Sequence, residues 1–248
     1  MKSNDRVYGE VIITEPVLIK LINSKPVQRL KGINQAGASQ YAYQQKNVTR
    51  YEHSVGVMIL LKKLGASVEE QIAGLLHDIP HTAFSHVIDY VFKNDDHTFH
   101  EKFHKKVIMN SKIPAILKEH GYNINRLLDE HNFPLLEKNL PDLCADRIDY
   151  TLRDMAALKG FSYKIAEYIS NFIVKDNEII MSNKEIAKRF TEDYLWMGRN
   201  SWAKPFDVAL FQILADAIKL GLDENILTEN DLFKDDNYVY SKLKNSYF

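Results

Sequence analysis

Apolar residues recur at helical spacing along most of this chain, and short alternating stretches replace that period in only two places. Val17, Leu18, Leu21 and Ile22 follow Pro16 on one helical face and predict a helix that opens at the proline. Pro26 opens the next, through Val27, Leu30 and Ile33, and the Gly32/Gly37 region ends it. Gly37 to Thr49 is polar and tyrosine-bearing and reads as a loop. From Tyr51 to Leu64 the helical period returns and stops at Gly65, a residue suited to a left-handed cap. Ser67-Val68-Glu69-Glu70 has capping-box spacing and predicts the start of a helix through Ile72, Leu75 and Leu76. Pro80 disfavours helical geometry at Ile79, so His77-Asp78 is expected on that helix's last turn, projecting into a cavity.

Downstream, a helix is predicted over His81 to Phe92, with Phe84, Val87, Ile88 and Val91 apolar. Further helices are predicted over His100 to Met109, Ile113 to Lys118, Leu143 to Leu158 and most of Ile186 to Gly221. The alternating stretches are Val7 to Thr14, a small hairpin or edge strand around Gly9, and Phe172 to Ser182, a hairpin around Asp176-Asn177. No repeat, linker or low-complexity stretch divides the chain. The pattern predicts one mostly α domain over residues 1–248, with a motif-bearing core at about 45–160 and a C-terminal helical region at about 184–248.

Charge and cysteine content narrow the setting. The formal net charge is −1, from 32 basic and 33 acidic residues, so no polyelectrolyte field draws the chain toward nucleic acid. Lys62-Lys63 and the group Lys102, Lys105 and Lys106 read as solvated helix faces. Cys144 is the single cysteine, which excludes an intramolecular disulfide and fits a reducing compartment; it reads as a small buried hydrophobe. The N-terminus lacks an apolar signal core, and no apolar run approaches about 20 residues. A cytoplasmic protein without membrane attachment is the expectation.

Histidine then changes the picture. Seven of the nine histidines lie between His53 and His104. Lys and Glu are the usual choice for a solvated face, so so many imidazoles together point to chemistry. His77 and Asp78 offer one nitrogen and one oxygen to a metal, and His53 upstream with Asp146 downstream would complete a four-ligand set. Mixed imidazole and carboxylate ligation suits Fe, Mn, Ni, Co or Zn better than Ca²⁺, which takes oxygens only. His81 and His86 follow the pair. Asp89, three residues after His86, can accept a proton from one ring nitrogen and fix the tautomer of the other. His100-Glu101 repeats the pairing of histidine with acid. Asp146, Tyr150, Arg153 and Asp154 share one helical stripe and can line a cavity wall. An ordinary amphipathic helix with an Asp149–Arg153 ion pair fits the same stripe.

Taken together, these residues resemble the HD-domain metal-dependent phosphohydrolases, and most closely their deoxynucleoside triphosphate triphosphohydrolase branch. Asp5-Arg6-Val7-Tyr8-Gly9 is similar to the branch's Asp-x-Val-x-Gly segment, and Gln28-Arg29-Leu30 with Gln35 to its Gln-Arg-Leu block. Arg50-Tyr51-Glu52-His53-Ser54, the run from His77 to His86, and the helix from Asp146 to Asp154 match its remaining motifs. The likeness covers roughly residues 5–201. It implies a single HD-type helical bundle with small β-hairpin additions. It implies that His53, His77, Asp78 and Asp146 are metal ligands, that His86 supported by Asp89 is catalytic, and that His100 and Glu101 form a second acid–base pair. His81 and Arg147 would then contact phosphate, Tyr150 and Asp154 would face the sugar, and Gln35 and Arg50 would touch sugar and base. The implied reaction converts a deoxynucleoside triphosphate to a nucleoside and inorganic triphosphate, with Mg²⁺ accompanying the phosphates.

One segment departs from the branch. Arg199-Asn200-Ser201 is present, and Arg199 can bind phosphate, but Ala203 stands where the branch has His, Asp207 where it has Tyr, and Pro205 where it tends to be basic. A lost imidazole and a gained carboxylate weaken a site meant for about four negative charges. A nucleoside mono- or diphosphate, or another small phosphoester, therefore stands as the alternative substrate. An inert nucleotide-binding regulatory module is the alternative of another class. Relatives regulated by nucleotides at subunit interfaces carry a longer C-terminal region, so such activation is not expected; a homo-oligomer remains open.

Overall fold

The computed structural model describes residues 1–94, 96, 98–158 and 160–247. A first hairpin pairs β1 (Lys2–Asp5) with β2 (Gly9–Ile12), with Ser3 opposite Val11 and Asp5 opposite Gly9. Short helices α1 (Pro16–Ile22) and α2 (Lys25–Arg29) follow. The central helices are α3 (Arg50–Lys63) and α4 (Val68–Leu76). A run of short helices comes next: α5 (Val87–Val91), α6 (His104–Met109), α7 (Ile113–Glu119) and α8 (Ile124–Leu127). After them come α9 (Ala145–Ala157), α10 (Ser162–Asn171) and a second hairpin of β3 (Phe172–Lys175) and β4 (Glu178–Met181). Helices α11 (Lys184–Met197), α12 (Pro205–Asp223) and α13 (Asp236–Tyr247) complete the mostly helical fold. No described helix is long and apolar enough to cross a membrane.

Helix α3 is the spine. Thr49 caps it through a full capping box: its hydroxyl accepts Glu52 N–H at 3.2 Å, and Glu52 returns to the Thr49 amide at 3.1 Å. The Thr49-Arg50-Tyr51-Glu52 spacing carries that signal, which the sequence reading passed over. The box anticipated at Ser67 is half formed: Ser67 accepts Glu70 N–H at 3.1 Å, but the Glu70 carboxylate reaches Leu135 N–H at 2.8 Å. Helix α3 is buried along most of its length, among α4, α9 and the N-terminal helices. A second apolar cluster joins α5, α12 and α13 through Phe84, Val87, Ile88, Ile218, Val239 and Leu243. Leu75, Leu76 and Ile79 belong to the first cluster and Ala83 to the second, so the segment bearing His77 and Asp78 runs from one to the other.

Two sequence expectations are corrected here. The first hairpin begins earlier than Val7: Val7 and Tyr8 form its turn, where Asp5 accepts both their amides, at 2.8 and 3.0 Å. The helix expected over His81 to Phe92 shrinks to Val87–Val91. Upstream of it the chain makes tight turns, with Phe84 and Ser85 at positive φ of 61° and 52°. Groups from distant elements satisfy the backbone that a helix would have satisfied internally. Arg29 Nη2 donates to the carbonyls of Ile79 and His81 at 2.6 and 2.8 Å. The Asp236 carboxylate accepts Phe84 N–H at 2.7 Å and Asn34 N–H at 3.0 Å. The hairpin around Asp176-Asn177 forms as expected, both turn residues adopting the left-handed conformation.

Candidate metal centre

Three of the four anticipated ligands, His53, His77 and Asp146, meet in one group, and Asp78 lies beside them in a second group with His81 and His100. His53 sits in the first turns of α3, His77 directly follows α4 with Asp78 next to it, and Asp146 lies in the first turn of α9. His53, His77 and Asp146 each present a ligand atom within 4.8 Å of the others. His53 Nε2 lies 2.8 Å from Asp146 Oδ1 and 3.7 Å from Asp78 Oδ2; His77 Nε2 lies 3.4 Å from Asp146 Oδ1 and 3.5 Å from Asp78 Oδ1. His77 Nδ1 donates to the Gly74 carbonyl at 2.7 Å, which leaves Nε2 as the lone-pair nitrogen facing the two carboxylates. Buried His77 Nε2 has no aligned hydrogen-bond partner among the described residues, although two acids flank it.

The electrostatics fit a cation. Burial alone would lower the pKa of His53, yet hydrogen bonds to Asp146 and Asp149 and the nearby Asp78 lift it to about 10. Burial would raise Asp78, but Arg50, His77 and His81 hold it well below the usual carboxylate range. Negative charge dense enough to keep a proton on a fully buried imidazole also favours a divalent ion, and two nitrogens with two carboxylates suit a first-row metal.

A second layer holds the ligands. The Asp149–Arg153 pair, which the sequence left open as an ordinary ion pair, exists at 2.6 Å and is fully buried. It also serves the site: Asp149 Oδ1 accepts His53 Nδ1–H at 2.9 Å, while Tyr8 OH donates to Asp149 Oδ2 at 2.8 Å. Arg153 reaches on to Asp5 at 2.7 Å, tying the N-terminal hairpin to α9. Room for the guanidinium exists because residue 56 is glycine. A Cβ there would overlap Arg153 and press on Asp149.

Beside the ligands lie His81, His86 and His100. The His81 and His100 rings stack at 3.8 Å, and His86 meets them edge-on at 5.0 and 5.6 Å. Burial lowers all three pKa values, His100 to about 3. His86 Nδ1 meets Asp89 Oδ2 at 3.1 Å, and Asp89 Oδ1 accepts Phe99 N–H at 3.1 Å, so the anticipated His86–Asp89 pair is formed and braced. His77, His100, Glu101, His104, Leu136 and Glu137 line a cleft of about 100 Å³, with Pro80 at its wall. His104, given no role from sequence, therefore borders the site; His97, likewise without a role, lies outside the described residues. Glu137 was missed as well. It stands beside Asp146, accepts from Cys144 Sγ at 3.4 Å, and burial together with Asp146 pushes it up to about 7.

The anticipated substrate residues are less uniformly placed. Arg50 is buried against the centre, its Nη1 2.8 Å from Asp78 and its Nε 3.0 Å from Ser85 Oγ. His81 Nε2 also meets Asp78, at 3.1 Å. Gln35 Oε1 is shielded from solvent and has no partner among the described residues. The Arg147 guanidinium turns to its own loop, donating to the carbonyls of Asp142 and Lys138. Tyr150 OH pairs with Tyr194 OH at 3.1 Å, and Asp154 accepts the Trp202 indole N–H at 2.7 Å. Tyr194 and Trp202 carried no signal in the sequence reading. Arg199 is exposed, in the wide turn before α12. Asp207 is not the free negative charge that the sequence implied: it is buried and bound by Ser39 Oγ and by Lys46 Nζ, the latter at 2.7 Å.

Comparison with known proteins places this geometry. The HD domain profile matches residues 50–154, which span all four candidate ligands. YdhJ of Bacillus subtilis is 45% identical, over 99% of this chain and 76% of its own. The metal-dependent phosphohydrolase cns2 of Cordyceps militaris is 33% identical, over 89% of this chain and 67% of its own. The deoxynucleoside triphosphate triphosphohydrolase SAMHD1 of Xenopus laevis is 35% identical over 35% of this chain and 16% of its own. A crystal structure of a hypothetical protein from Aquifex aeolicus superposes with a TM-score of 0.73 at 25% identity, covering 98% of this chain and 71% of that one. With the profile lying on the ligand-bearing helices and the similarity to YdhJ and cns2 extending through nearly the whole fold, the chain belongs to the HD-domain family of metal-dependent phosphohydrolases.

Proposed function

We propose that this phosphohydrolase acts on nucleotides, converting a deoxynucleoside triphosphate to a deoxynucleoside and inorganic triphosphate. The observation that carries the reading is the convergence of His53, His77, Asp78 and Asp146 beside the braced His86–Asp89 pair. The partial similarity to SAMHD1 supports the substrate class.

These four residues would hold Fe, Mn, Ni, Co or Zn, with Mg²⁺ accompanying the substrate phosphates; such an ion supplies Lewis-acid polarisation and an activated water. The chain's own groups do the rest. Asp149 and the Gly74 carbonyl fix the tautomers and ring planes of His53 and His77. Burial keeps His86 neutral at rest. An incoming phosphate raises its proton affinity, and with Nδ1 on Asp89 the ring gives a proton from Nε2 to the leaving sugar oxygen as the bond from phosphorus to that oxygen breaks. Water supplies the new oxygen on phosphorus, and His100 with Glu101 relays its released proton to solvent. His81 and Arg50 stabilise charge on the phosphoryl group, Arg199 and an Arg147 released from its loop carbonyls reach the outer phosphates, and Gln35, Tyr150 and an Asp154 freed from Trp202 hold the nucleoside.

A second reading, a nucleoside monophosphate, is favoured by two placements. Arg147 is engaged by loop carbonyls, and Trp202 already occupies Asp154. Incubating the metal-reconstituted protein with ribo- and deoxynucleotides, and resolving nucleoside, phosphate, pyrophosphate and triphosphate, separates the two. Triphosphate released from deoxynucleotides alone is the expected outcome. Orthophosphate released from monophosphates alone would overturn it.

A further inference from the structure

Four residues behind the candidate metal centre close a ring of hydrogen bonds. The Asp5 carboxylate accepts the Tyr8 amide on Oδ1 at 3.0 Å and Arg153 Nη2 on Oδ2 at 2.7 Å. Arg153 Nε donates to Asp149 Oδ1 at 2.6 Å, and the Tyr8 hydroxyl completes the ring on Asp149 Oδ2 at 2.8 Å. Asp149 is fully buried and Tyr8 is 7% exposed, so the bond between them lies away from water. The ring joins the turn of the first hairpin to α9. It meets the centre at one atom, because Asp149 Oδ1 also accepts His53 Nδ1–H at 2.9 Å.

What Tyr8 adds is control of a torsion. The last torsion of an aspartate joins a tetrahedral carbon to a planar carboxylate and has no sharp minimum. A carboxylate gripped on one oxygen can turn about that bond and carry its partners with it. Asp149 is gripped on both oxygens, by Arg153 and His53 on Oδ1 and by Tyr8 on Oδ2. Packing alone does not call for a hydroxyl at position 8, since phenylalanine would fill the same space. We propose that Tyr8 is a positioning residue for the metal centre. Acting through Asp149, its hydroxyl fixes the plane of the His53 ring, and with it the direction of the Nε2 lone pair toward the ion. A ligand aimed in advance binds more tightly. Coupling of this kind is reciprocal, so a bound ion must tighten the docking of the hairpin turn by the same factor. The inference rests on His53 being a ligand and not on the identity of the substrate.

Titration of the metal-free full chain with Co²⁺ alone, followed by visible absorption, reads both the affinity and the geometry of the donor set. Tyr8→Phe should weaken Co²⁺ binding about tenfold, the lower end of what such outer partners contribute, and should alter the absorption band. Tyr168→Phe is the control. Tyr168 is also buried and its hydroxyl also meets a carboxylate, Asp193, but it joins α10 to α11. That variant should keep the wild-type affinity and band. In the wild type itself, Co²⁺ should slow hydrogen exchange at the Val7 and Tyr8 amides about tenfold relative to amides of the β3–β4 hairpin. Unchanged affinity in Tyr8→Phe overturns the proposal, as does equal weakening by Tyr168→Phe or an unmoved exchange ratio. His53→Ala separates the role from the assignment beneath it. If that variant keeps wild-type affinity, the ligand assignment fails and the proposal with it; if it loses Co²⁺ while Tyr8→Phe does not, only the positioning role fails.

Discussion

The two ends of the site are built differently. At the candidate metal end, three of the four candidate ligands have a second contact that leaves little choice of position, Asp149 and the Gly74 carbonyl for the histidines and Arg50 for Asp78, while Asp146 lies in the first turn of α9. Behind them stands a fully buried ion pair, seated in space left by Gly56. At the far end, Tyr150 and Asp154 are held by Tyr194 and Trp202, and Lys46 from a long loop answers Asp207. Under the proposed function, the charged network would hold a catalytic ion. The aromatic side chains with the loop lysine would tune which substrate enters beside it, so that reaction chemistry would lie at one end and selectivity at the other.

The comparison is broken most severely at the ligands. His77→Ala should remove bound metal and lower turnover by about a thousandfold, the scale on which losing a charge-stabilising group acts. Metal analysis alongside kinetics checks it, and retained turnover without metal would refute the assignment. Next in size is Gly56→Ala, which forces Arg153 off Asp149 and should cost about 3 kcal/mol in denaturant unfolding. A loss under about 1 kcal/mol would mean the pair relocates freely.

The third effect is a pH dependence of metal-free stability. His81, His86 and His100 have pKa values lowered by folding, so below the ordinary histidine value near 6.5 the unfolded chain binds more protons than the folded one. Their contribution is therefore present above about pH 6.5 and is lost as pH falls toward about 3, the value for His100. His53 acts in the opposite direction, its contribution being full below about pH 6.5 and lost progressively as pH rises toward about 10. Unfolding curves of His100→Asn should fall less steeply between pH 6.5 and 4.5, roughly the window below the ordinary histidine value; an unchanged slope would exclude His100 from the cluster's titration. The smallest effect belongs to the far end. Trp202→Phe keeps the ring but frees Asp154, and should shift the ratio of kcat/KM for deoxy- over ribonucleotides by about tenfold with stability little changed. A ratio that does not move would leave Trp202 a packing residue only.

How far the sequence foretold each region follows from how local its determinants are. The four candidate ligands were legible because histidines and a His-Asp pair rarely gather without chemistry. The helix boundaries around α3 and α4 were legible from glycine, proline and caps. The turns from Ile79 to His86 were not, because the Phe84 amide is satisfied by a carboxylate 152 positions away. Asp149 and Arg153 were visible but ambiguous: spacing of four along a helix looks the same whether the pair is solvated or buried against a ligand. Asp207 was misjudged as an added charge because its counter-ion, Lys46, is 161 positions distant. Tyr194 and Trp202 came from helical runs in which aromatic residues usually mean core.

Asp236 carries a consequence for the order in which the protein becomes functional. Its carboxylate supports the turn bearing Phe84 and also binds Asn34 and Gln40, whose segment abuts α3. A ribosome delivers residues 34 and 84 long before residue 236. The nascent chain can thus assemble its central helices early while the turn after His77 and Asp78 waits for its anchor. That turn then takes its final shape late in synthesis, and a polypeptide interrupted before α13 would carry the candidate ligand residues without the carboxylate that braces the turn after them.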